Sequence, residues 1–120
     1  EISPGHPLIL SGDMHSFWAI DANDDPFLNK KTELIEFVGS SVSANWPEPL
    51  SKPVRTNLKK NRQIKFYNGE KRGYFLHELN ADTWVATAKG VLSTKDKKSK
   101  VLQLAKFLVE KGKSGFQRIG

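Results

Sequence analysis

Short apolar runs broken by turn-forming residues organise most of this chain, and their spacing predicts strands more often than helices. Pro7-Leu8-Ile9-Leu10 is an apolar run that stops at Ser11-Gly12, as a buried strand entering a tight turn would. A second extended segment covers residues 16–20, followed by a loop at residues 21–26, where Asp and Asn side chains favour turns. Residues 33–38 are β-prone and deliver the small polar turn Gly39-Ser40-Ser41. Three prolines between residues 45 and 53 predict irregular backbone. A short helix is expected over residues 54–60, with Ser51 as a cap and Pro53 near its first turn.

The later pattern predicts an antiparallel meander of residues 63–67, 72–79 and 83–91, the first two joined through Asn68-Gly69. Alternation leaves the inward face of residues 74–79 undecided, because each face carries both apolar and polar members. For residues 83–91 it turns Trp84, Ala86 and Ala88 inward. The last segment is ambiguous by period: Val101, Leu104, Ala105 and Leu108 fit a helical stripe, whereas Phe107-Leu108-Val109 suits a strand.

Composition narrows the class. A chain of 120 residues with 38% hydrophobic residues can support one compact domain. It contains no cysteine, which removes disulfides, thiolate metal sites and a cysteine nucleophile from consideration and leaves the compartment open. No apolar run approaches the roughly 20 residues needed to cross a bilayer. The start has neither the basic nor the apolar region of a signal peptide, and it lacks an initiating Met. The net charge of +6 is concentrated late, in Lys89 and in residues 95–100. A solvated surface loop accounts for that run; polyanion attraction is the alternative.

The chemistry centres on Gly12-Asp13-Met14-His15. At the end of an apolar strand, a carboxylate and an imidazole two residues apart can reach one ion or two neighbouring ions. The carboxylate oxygen suits a hard cation, and the neutral imidazole nitrogen suits iron or zinc. His15 must be neutral to donate its lone pair, so acid weakens such a site. Other candidates are weaker. Asp21, Asp24 and Asp25 lack the glycine and terminal glutamate of a calcium loop and read as a solvated turn. His77 reads as a structural side chain in a strand, and His6 as an exposed turn residue. Ser40 and Ser41 have no local base to activate them.

The stretch Leu10-Ser11-Gly12-Asp13-Met14-His15-Ser16-Phe17-Trp18-Ala19-Ile20-Asp21 resembles the late metal-binding segment of the alkaline phosphatase D (PhoD-like) family. Further blocks follow in the same order: Glu36-Phe37-Val38-Gly39-Ser40-Ser41-Val42-Ser43, Ile64-Lys65-Phe66-Tyr67-Asn68 with Arg72-Gly73-Tyr74, Trp84, and Phe107-Leu108-Val109-Glu110-Lys111-Gly112 as a closing strand. Two positions depart from the family pattern: Ile20 stands where Asn is common, and residues 95–100 form an unusually basic connection.

The resemblance covers nearly the whole chain but only about the last quarter of a family member. It implies an α/β fold, with residues 1–120 forming the carboxyl-terminal, mostly β part of a metallophosphoesterase-type α/β sandwich without an internal boundary. It also implies a strand over residues 100–112, metal-ligand roles for Asp13 and His15, and Fe(3+) and Ca(2+) as cofactors. Phosphate mono- or diesters would be the substrates, and the remaining polypeptide would complete the two-metal site, in a periplasmic or secreted enzyme. The chain alone is then expected to turn over little substrate. A nucleic-acid partner is not expected. The competing class is a basic β-rich polyanion-binding module in which Trp46, Tyr67 and Trp84 supply stacking surfaces.

Overall fold

The computed structural model describes residues 7–25, 27 and 31–120, so His6 and Pro26 lie outside the described residues. Among the described residues, eight strands and one helix follow in the order β1 (Leu8–Ser11), β2 (Phe17–Ala22), β3 (Leu34–Val38), α1 (Glu48–Leu58), β4 (Ile64–Asn68), β5 (Gly73–Leu79), β6 (Thr83–Val91), β7 (Val101–Glu110) and β8 (Gln117–Arg118). They form two four-stranded sheets, β1-β3-β2-β4 and β5-β6-β7-β8. The protein is thus mostly β. No described helix is long and apolar enough to cross a membrane.

Both sheets contribute to one core. Phe17, Ala19, Ile35 and Phe37 of the first meet Ala86, Ala88, Ala105 and Phe107 of the second, and all eight are buried. The alanines of β6 and β7 make room for rings from across the interface, so large and small side chains face one another in the core. Phe37 is the hub: its ring lies 5.4–5.8 Å from Phe75, His77, Phe107 and Phe116.

In the first sheet β1 runs parallel to β3, while β2 lies antiparallel to both β3 and β4. The second sheet is an antiparallel meander, in which Gly73 faces Gly90 across β5 and β6. A Cβ at Gly73 would stand 1.9 Å from the Lys89 carbonyl oxygen, so only glycine allows the two backbones to approach this closely. The inward face expected for Trp84, Ala86 and Ala88 is observed. The final segment is a strand, β7.

Several expectations need correction. The meander consists of β5, β6 and β7; β4 leaves it and pairs with β2. An extended run reads the same whichever sheet it joins, because the partner is set by long-range packing. β7 does not close the sheet, since β8 pairs along its outer edge. β2 continues through Asp21 and Ala22, so the loop begins later than composition suggests. Helix α1 starts at Glu48, with Pro47 at its N-cap and Pro53 inside it. Proline fits a first helical turn, where amide protons lack intrahelical acceptors, so Pro49 is accommodated there. Ser51 is buried within the helix and caps nothing.

Candidate metal centre

The Gly12-Asp13-Met14-His15 turn joins β1 to β2 at one end of the first sheet. Asp13 is exposed and His15 partly so. Both residues have left-handed backbone, with φ of 69° at Asp13 and 51° at His15. Non-glycine residues occupy this region sparingly, at a cost on the order of 1–2 kcal/mol each. The surroundings must therefore hold the turn in place.

They do so by occupying its carbonyls. Ser16, fully buried, donates its hydroxyl to the Met14 carbonyl at 3.0 Å and accepts the Trp18 indole N–H at 2.8 Å. Arg72 Nη1 donates to the His15 carbonyl at 2.5 Å and to the Ala44 carbonyl at 2.8 Å, with Ser41 Oγ at 3.4 Å. Arg72 Nη2 donates to the Gly69 carbonyl at 2.5 Å. At the turn's entrance, the Gly39 amide donates to the Ser11 carbonyl and the Ser11 hydroxyl to Glu36. Among the described residues, the Asp13 carboxylate and the His15 imidazole make no hydrogen bond or ion pair of their own. The backbone is fastened while both side chains stay available.

Arg72 is 3% exposed, which is unusual for a guanidinium. Burial draws its pKa below the ordinary value, a shift that Tyr67 opposes. Tyr67 packs its ring against Trp18, with centroids 4.6 Å apart, and burial raises its phenol pKa against the pull of Arg55 and Arg72. On the outer face of the first sheet, a cavity of about 460 Å³ runs beside the turn, lined by Ser11, Gly12, Met14, Trp18, Ile20 and Glu36 among others. Residue type and spacing do not mark Ser16 and Trp18 as supports, and they mark Arg72 only faintly. Arg72, in a stretch with Glu70 and Lys71, reads as a surface charge, and its one available signal is its place between Gly69 and Gly73, where a large side chain can fold back over bare backbone.

The structure brings Asp13 and His15 together on one turn but places no third candidate with them: no group of three His, Cys, Asp or Glu residues suited to a metal exists among the described residues. Asp24 and Asp25 lie in a turn where the Asp25 amide donates to Asn23 Oδ1 and the Phe27 amide to Asp25 Oδ1. That is the hydrogen bonding of Asx turns, as expected of a solvated loop. His77 is structural. Its Nδ1 accepts the Trp84 indole N–H at 2.9 Å, its ring stacks on Phe75, and burial lowers its pKa. The Ser40 and Ser41 hydroxyls are committed to the carbonyls of Lys71 and Ala44 rather than to a base.

The aromatic residues do not form one stacking platform. Trp46 and Tyr67 each lie beside Gly69, while Trp84 packs against the shared core from the second sheet. The lysines at 95, 97, 98 and 100 are exposed on the β6–β7 connection.

Residues 3–88 match the family model described as PhoD-like phosphatase. No curated protein matches the chain. Among solved structures, one titled "Structure of PhoD" superimposes with a TM-score of 0.74 at 22% identity. The match covers 94% of this chain and 22% of that one, so the chain spans about a fifth of the solved relative's length.

Proposed function

Because the chain belongs to the PhoD-like phosphatase family, we propose that it forms the carboxyl-terminal part of an enzyme that hydrolyses phosphate mono- or diesters at a two-metal site, with Asp13 and His15 as two of the ligands. The observation that carries this reading is the turn itself. Two potential ligands sit on left-handed backbone, in a turn whose Met14 and His15 carbonyls are tied down, and their side chains are uncommitted.

The donor set fits the metals implied by the family. A carboxylate oxygen suits Ca(2+) or Fe(3+), and a neutral imidazole nitrogen suits iron. When bound, such ions polarise phosphoryl oxygens and lower the pKa of a bound water. Asp13 would contribute negative charge and His15 a neutral donor, and neither need act as a nucleophile. Two ligands are too few for two ions, so further donors come from sequence outside this chain. In this arrangement the two sheets form part of a metallophosphoesterase-type sandwich, and an exported location accords with the family.

The test uses the full-length polypeptide. Asp13→Ala and His15→Ala should each lower bound iron or calcium, measured by elemental analysis. Turnover of an aryl phosphate ester should fall with the metal, on the order of 100-fold or more. Unchanged metal content in both variants would remove Asp13 and His15 from the site.

A further inference from the structure

We infer that Arg72 is a positioning residue for the metal centre, fixing the Asp13–His15 turn by binding the His15 carbonyl; this rests on the two-metal reading above. One planar guanidinium joins three segments that are far apart in sequence: the turn through His15, the connection after β3 through Ala44, and the β4–β5 turn through Gly69. The contact to His15 spans 57 residues of chain. It falls on the one carbonyl whose orientation is set by the same left-handed residue that carries the imidazole.

The choice of side chain supports the inference. A buried guanidinium loses solvation, and an apolar side chain of similar volume often serves stability equally well. What the apolar side chain cannot do is hold several carbonyls at fixed directions, which the rigid fork of arginine does and the single ammonium of lysine does not. The other pin on the turn is different in kind. Ser16 and Trp18 act from within β2 and its entrance, so they move with the turn. Arg72 anchors the turn to separate parts of the fold: Ser40 Oγ donates to the neighbouring Lys71 carbonyl, and the Gly73 amide donates to the Ser41 carbonyl. The connection after β3 and the β4–β5 turn are thereby held as one support. Displacing that support would turn the His15 peptide and re-aim its ring.

The experiment compares Arg72→Lys and Arg72→Gln with the wild type in the full-length enzyme loaded with Fe(3+) and Ca(2+). Bound metal is measured against a competing chelator and normalised to the folded fraction from near-ultraviolet circular dichroism. Both variants should hold metal about 10–100-fold more weakly per folded molecule, the range seen when the groups that orient metal ligands are removed. Metal affinity within twofold of wild type in either folded variant would overturn the inference, whatever happens to the melting temperature. So would loss of the fold in both variants when the metal-free wild type stays folded, since Arg72 would then serve the architecture alone. Asp13→Ala separates the two levels: if it loses metal while the Arg72 variants keep it, the positioning role fails and the site stands. If Asp13→Ala keeps its metal, the site falls and the positioning role with it.

Discussion

The two sheets divide the work of the molecule between them. The second is assembled mostly from neighbours in sequence, since β5, β6 and β7 are consecutive and pair as hairpins, with β8 returning along the edge of β7. The first is assembled from distant pieces, with a parallel β1–β3 pair and a β4 strand that arrives after the helix to join β2. The candidate ligands stand on the first sheet, at its β1–β2 turn. Local pairing makes a sheet easy to specify; non-local pairing lets one turn be braced by segments from across the chain. Arg72, on the turn between the sheets, acts as that brace. The second sheet contributes alanines together with the rings of Phe75 and Phe107 to the core it shares with the first.

The largest expected effect tests whether the two sheets are one cooperative unit. Phe37 is fully buried at their seam, and Phe37→Ala should cost about 3–5 kcal/mol, read as a lowered urea midpoint. Probes on both sheets should shift together. Two separated transitions would mean that each sheet is stable by itself and that the shared core is not what joins them.

A smaller effect belongs to the second sheet. His77 has its pKa depressed from about 6.5 by burial, so the unfolded chain takes up its proton first as the pH falls. Stability from the neutral imidazole is complete above about pH 6.5 and declines as the solution is acidified through the folded-state value. Protonation at Nδ1 would also remove the acceptor for the Trp84 indole. His77→Gln should flatten this acid dependence, measured as the difference in melting temperature between neutral and mildly acidic buffer. An equally steep decline in the variant would move the sensitivity to another group.

The smallest effect concerns the basic β6–β7 connection. Lys97→Gln and Lys98→Gln, both at exposed positions, should each change stability by less than about 0.5 kcal/mol and leave metal content unaltered. A larger loss in thermal denaturation would give that loop a structural part to play.

These contrasts also explain what could be read from the sequence. The inward face of Trp84, Ala86 and Ala88 was legible because strand alternation is local. The separation of β4 from β5 was not, since Gln63 to Tyr67 carries no mark of which sheet it joins. Proline density concealed the start of α1, because Pro47 and Pro49 signal a helix entrance as well as irregular chain. At the site, Asp13 and His15 stood out as residue types that bind metals. Their supports did not: Ser16 looks like any small polar residue, Trp18 like any core aromatic, and Arg72 like one more surface cation. Beyond its place between Gly69 and Gly73, what distinguishes Arg72 is burial, and burial is a property of the folded chain.

The left-handed backbone at Asp13 and His15 sets two kinds of selection against each other. Glycine would occupy either position with less strain, so a screen for thermal stability alone should enrich Asp13→Gly and His15→Gly. The side chains it discards are the proposed donors. Aspartate and histidine are also among the non-glycine residues that tolerate this conformation best. A lineage retaining the turn therefore has a narrow alphabet at both positions, and drift toward glycine would signal a protein that has kept its shape and given up the proposed donors.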